Sequence, residues 1–66
     1  MRLNIEAERG RLQLTKGEIS KILGVTPKTY NGYIAGSPIP SNVLEELHRI
    51  TGCSIDYLLG LPGTEE

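Results

Sequence analysis

Four residues at helical spacing, Lys28, Asn31, Gly32 and Ala35, would share one face of a helix and give it one cation, one amide and otherwise small side chains. Such a face can approach another surface closely. The other residue types that carry chemistry stand alone. His48, the single histidine, reads as an exposed helix side chain rather than a metal ligand or catalytic base. Cys53, the single cysteine, reads as a small core side chain rather than a redox sensor; it has no partner for an intramolecular disulfide and no Cys and His set at metal spacing. No serine, histidine and acid arrangement is readable, and the glycine spacing of KGEISK is wrong for a phosphate-binding loop. The three tyrosines read as packing residues rather than a base-stacking platform. No catalytic residue, metal ligand or cofactor is expected.

Size points the same way. A chain of 66 residues makes at most one domain, and at that length only about 60% of the unfolded surface can be buried. A pocket enclosing a metabolite would consume most of the core, so neither an enzyme nor a small-molecule ligand is expected. No apolar run approaches the length of a membrane span and the N-terminus lacks a signal peptide's apolar stretch, which makes the cytoplasm the expected location. The formal charge of −1 argues, as a total, against a nucleic-acid partner. The total hides an asymmetry. Residues 1–32 hold six basic and three acidic side chains, a net of +3, whereas residues 33–66 hold one basic and five acidic, a net of −4.

The elements that must position the Lys28 face are helices. Apolar and polar residues never alternate long enough for a strand, while helix boundaries recur about every ten residues. Asn4 is the expected cap of a first helix carrying Ile5, Arg9 and Leu12 on one side, with Gly10 a local weakness of roughly 1 kcal/mol against Ala. Thr15 and Glu18 make a capping box, flanked by Leu14 and Ile19 at staple positions. Ile19, Ile22 and Leu23 form the apolar stripe of the second helix, and Gly24 stands where a left-handed residue ends it. Val25, Thr26 and Pro27 then supply a staple, a cap and a first-position proline for a third helix with Tyr30, Tyr33 and Ile34 inward, closed by Gly36 and Pro38. Pro40 and Ser41 open a fourth helix through Val43, Leu44, Leu47 and Ile50, with Glu45 placed to pair with Arg49 and with Thr51 and Gly52 at its end. Ser54 caps a short fifth helix containing Ile55, Tyr57, Leu58 and Leu59, with Asp56 in its first turn and Gly60, Pro62 and Gly63 as stops. Residues 62–66 read as a short acidic tail.

Two short helices separated by a turn with a glycine have the layout of a helix-turn-helix. The stretch TKGEISKILGVTPKTYNGYIAG, followed by PSNVLEELHRITGCSIDYLLG, resembles the phage repressor and Cro family, also known as the Xre family of bacterial regulators. The likeness runs from about Ile5 to Leu61. It implies an all-α, compact five-helix lambda-repressor-like DNA-binding domain over residues 3–61, with the helix-turn-helix at helices 2 and 3. Ile19, Ser20, Leu23, Gly24, Val25, Tyr30 and Tyr33 match the family's packing positions. Ser20 stands where Ala is usual, and its hydroxyl is expected to bond back to the preceding turn.

In the family the third helix enters the major groove. The resemblance therefore implies base contacts from Thr26, Pro27, Lys28, Asn31 and Gly32. Lys28 would reach guanine O6 and N7, Asn31 would pair with adenine N6 and N7, and the Thr26 or Thr29 methyl would meet a thymine methyl. Gly32 replaces a longer polar residue and reads nothing itself, which shifts part of the readout to DNA shape. Lys16 matches a position where the family has a phosphate-bonding Gln, and Thr29, Arg9, Arg11 and Lys21 are the further phosphate candidates. Two departures stand out. The family pairs the first-helix arginine with a glutamate late in the third helix, but here that partner position holds Ile34, which leaves Arg9 free for phosphate or simply exposed. The segment 35–42 carries no Lys or Arg, where relatives place phosphate-binding cations.

The expected function is a small sequence-specific regulator that binds double-stranded DNA and represses by occupying an operator as a homodimer, with half-sites about one DNA turn (roughly 34 Å) apart. With the fifth helix so near the end of the sequence, no separate dimerisation, sensor or cleavage domain is expected. The alternative is a protein-interaction adaptor, antitoxin-like or antirepressor-like, with the same fold and weak DNA affinity.

Overall fold

Local capping sets most of the helix boundaries. The computed structural model describes residues 2–60, so Leu61, the stop residues Pro62 and Gly63 and the tail 62–66 lie outside the described residues. Within them the chain forms α1 (Leu3–Arg11), α2 (Lys16–Leu23), α3 (Pro27–Ala35), α4 (Ser41–Thr51) and α5 (Ile55–Leu59), with no strand among the described residues. Thr15 Oγ1 accepts from the Glu18 N–H at 3.1 Å while Glu18 Oε1 accepts from the Thr15 N–H at 2.8 Å, the expected reciprocal box. Thr26 caps α3 by accepting from the Thr29 N–H at 3.2 Å, and Ser54 caps α5 by accepting from the Tyr57 N–H at 3.1 Å. Gly24 ends α2 at φ 74°, a left-handed backbone that an L side chain adopts only at a cost.

All five helices feed one core: Ile5 from α1, Ile19 and Leu23 from α2, Tyr30, Tyr33 and Ile34 from α3, Val43 and Leu47 from α4, and Leu58 from α5. Leu14 and Val25, the residues preceding the two caps, pack partly buried against it. The arrangement seats α2 against α3 and braces the pair from behind, α1 against α3 and α4 against α2. Ser20 is buried at this junction, and its Oγ donates to the Lys16 carbonyl at 2.6 Å, as its position demands.

Four sequence expectations are corrected. Asn4 is not the cap of α1. Arg2 holds the N-cap position without a side-chain cap, and its backbone N–H donates to the Ile34 carbonyl at 2.8 Å, so the helix starts earlier. Asn4 lies inside the first turn and donates Nδ2–H to the Tyr57 carbonyl at 2.6 Å, fastening α1 to α5. Ile22 is not in the core stripe but 42% exposed, because it sits about 100° round the helix from Leu23 and α2 is covered only on the Ile19 and Leu23 side. Arg49 pairs with Glu46 rather than Glu45, since both spacings are neighbours on a helix and Glu46 is the more enclosed carboxylate. Gly24 is exposed and contributes its backbone turn rather than packing.

Candidate nucleic-acid interface

The face that the sequence singled out is open. Thr26, Pro27, Lys28, Thr29, Asn31 and Ala35 are exposed and Gly32 is half-buried, while Tyr30, Tyr33 and Ile34 anchor the opposite side of α3 in the core. Lys28 and Asn31 have no side-chain hydrogen bond or ion pair among the described residues, so both keep their full donor and acceptor capacity. Thr26 is committed differently. Its Oγ1 caps the helix and lies 3.0 Å from Thr29 Oγ1, so the two hydroxyls satisfy each other at the start of α3. At the other end of the face, a Cβ built at Gly32 would lie 3.5 Å from Ser37 Oγ, an ordinary contact distance.

Lys16 opens α2 and is exposed. Its own N–H and that of Gly17 have no acceptor among the described residues, whereas the Glu18 N–H is taken by Thr15. Two amides without acceptors beside an ammonium offer hydrogen-bond donors and positive charge of the kind that suits an anion at a helix N-terminus. Lys21 is exposed in the last turn of α2, beside a shallow apolar cleft that it lines with Leu14, Glu18 and Ile22.

Arg9 and Arg11 are not free cations, which corrects the expectation that Arg9 is either available to phosphate or simply exposed. Arg9 Nη2 donates to Glu6 Oε1 at 2.7 Å, its Nε donates to Glu6 Oε2 at 3.3 Å, and its Nη1 donates to the Leu14 carbonyl at 2.7 Å. The Tyr30 hydroxyl donates to Glu6 Oε2 at 2.6 Å. With Ile34 unable to bridge α1 and α3, this Arg9, Glu6 and Tyr30 cluster makes the link instead. The Arg9 guanidinium, with the Tyr30 hydroxyl assisting, holds the Glu6 carboxyl below its usual value against the opposing effect of burial. Burial, reinforced by the neighbouring carboxylate, pushes the Tyr30 phenol up, so it stays a donor. Arg11 is tied by Nε to Glu8 Oε1 at 2.6 Å and by Nη2 to the Thr51 carbonyl at 3.0 Å, which also depresses the Glu8 carboxyl.

Two contributors escaped the sequence reading. Tyr30 was legible as packing, but nothing local reports a hydroxyl reaching 24 residues back to Glu6. In the sequence Arg2 is only one of the basic residues of the first half, yet its Nη1 donates to the carbonyls of Tyr33 and Ser37, both at 2.6 Å, at the end of α3. Among the described residues no group of three or more metal-ligating side chains gathers, and no helix is long and apolar enough to cross a membrane.

Two helices joined by a tight left-handed turn, the second presenting an open polar face and bonded to the core by the other, define a helix-turn-helix module. A family model described as "Helix-turn-helix" matches residues 5–58, and the chain belongs to that family, the helix-turn-helix domains of Xre, Cro and lambda-repressor type. It is a DNA-binding regulatory fold. No curated protein and no solved structure matches the chain.

Proposed function

We propose that the chain is a sequence-specific regulator of transcription, a repressor that occupies its operator in the cytoplasm as a homodimer with α3 in the major groove. Residues 3–61 act as the DNA-binding domain. Lys28 donates to guanine O6 and N7, Asn31 pairs with adenine N6 and N7, and Thr26, Pro27 and Gly32 form the close-approach surface around them. Thr29, Lys16 and Lys21 meet phosphates. The observation that carries this reading is the exposed Lys28 and Asn31 face without internal partners, on the second helix of a helix-turn-helix.

The adaptor reading keeps one specific support. Arg9 and Arg11 are tied to Glu6 and Glu8, and segment 35–42 has no cation of its own, so the phosphate-facing charge is thin. A salt titration of binding to random-sequence duplex DNA separates the two readings. Counterion release predicts log K falling against log salt by about 0.9 per neutralised phosphate, and Lys16→Ala lowering that slope by about 0.9 per subunit with sequence preference unchanged. Binding that stays at background at every salt concentration favours the adaptor.

A further inference from the structure

The turn after α3 lacks a cation in sequence but not in space. Arg2, 31 and 35 residues away in the chain, reaches it with Nη1, which donates to the Tyr33 and Ser37 carbonyls at 2.6 Å, while its backbone N–H holds the Ile34 carbonyl at 2.8 Å. No basic residue stands in the last turn of α3 itself, so the guanidinium is the charge that meets the negative end of that helix. A guanidinium has five N–H donors. The two on Nη1 are engaged, and those on Nε and Nη2 have no partner among the described residues.

Its location is what matters for binding. The Ser37 N–H donates to the Gly32 carbonyl at 2.9 Å, and Ser37 Oγ lies 3.5 Å from where a Gly32 side chain would begin, so Ser37 packs against the C-terminal end of the open face of α3. Arg2 grips the carbonyl of that same serine. A positive group with unused planar donors therefore stands beside the end of the face opposite Thr26, next to an exposed turn of Gly36, Ser37 and Pro38.

We propose that Arg2 is a DNA phosphate contact of this protein, replacing from the N-terminus the cations that segment 35–42 lacks, with Nη1 fixed on the α3 end and Nε and Nη2 offered to a phosphate oxygen. The inference rests on the DNA-binding reading above. The purified protein is titrated with random-sequence duplex DNA across a salt series as wild type, Arg2→Gln and Arg2→Lys, with thermal unfolding of each variant recorded alongside. Arg2→Gln lowers the slope of log K against log salt by about 0.9 per subunit, and Arg2→Lys retains it. An Arg2→Gln slope equal to the wild-type slope, with affinity reduced equally at all salts, makes Arg2 a helix cap only and overturns the proposal. A wild type that shows no salt-dependent binding overturns the DNA reading itself, and this inference with it. If Arg2→Gln is unfolded at the assay temperature, the Arg2 Nε–Hε resonance of the isotope-labelled wild type decides: a shift on adding duplex supports the contact, and an unmoved resonance overturns it.

Discussion

Glu6 accepts from three side-chain donors, Nη2 and Nε of Arg9 and the hydroxyl of Tyr30, and through them one carboxylate fixes α3 to α1. Arg9 extends the cluster to the Leu14 carbonyl, one residue before the cap of α2, so both helices of the DNA-binding motif are indexed to α1. The Glu6 carboxyl is held below its usual value of 4.5, which fixes the sign of its pH dependence. Its contribution to stability is fully present above the unfolded carboxylate value and is lost as pH falls through the lower folded value. Glu6→Gln should lower unfolding free energy near pH 7 by roughly 1–2 kcal/mol, discounted for a pair that water still reaches, and should flatten the acid loss of stability by one group. Urea unfolding of both proteins between neutral and acid pH measures it, and an unchanged acid dependence would contradict the assignment. Lys28 and Asn31 were legible in sequence because helical spacing alone decides which face they share. Arg9 was not: its expected partner position held Ile34, and the link it needed came from Glu6 and a tyrosine hydroxyl that a packing argument does not see.

The helices that position the site are defined mainly by bonds between residues three or four apart, which is why α2, α3 and α5 could be bounded from sequence. Thr15 with Glu18, Thr26 with Thr29 and Ser54 with Tyr57 each close within one turn. The ends of α1 are different in kind. Its start depends on Arg2 meeting Ile34 across the molecule, and its exit runs through Gln13 at φ 59°, a left-handed residue with no glycine to announce it. Gly24 is the element-scale test. A Cβ there would meet nothing within 4 Å, so the cost of Gly24→Val comes from the backbone at φ 74° and not from crowding. It should destabilise by at least about 1–2 kcal/mol, more for a β-branched side chain, and Gly24→Ala by less. Chemical denaturation that finds valine no worse than alanine would place the cost elsewhere.

Across the whole molecule, a formal charge of −1 conceals a basic first half and an acidic second half, and each ion pair among the described residues lies within one half, so the contrast survives folding. The structure ties Arg9, Arg11 and Arg49 to carboxylates and leaves Lys16, Lys21 and Lys28 without ion-pair partners among the described residues, all three on the helix-turn-helix. On the proposed DNA-binding reading, so few cations predict modest and salt-sensitive affinity per subunit, which the proposed homodimer would offset by doubling the contacts on a twofold-symmetric site. The claim that α3 reads base edges is tested most directly by selecting binding sites from a random duplex pool with the wild type and with Lys28→Ala. The wild type should enrich a twofold-symmetric motif with half-sites about one DNA turn apart, and Lys28→Ala should relax preference at one base pair per half-site, at a cost of about 1–3 kcal/mol. A wild-type pool without an enriched motif, or a Lys28→Ala pool identical to the wild type at every position, would contradict it.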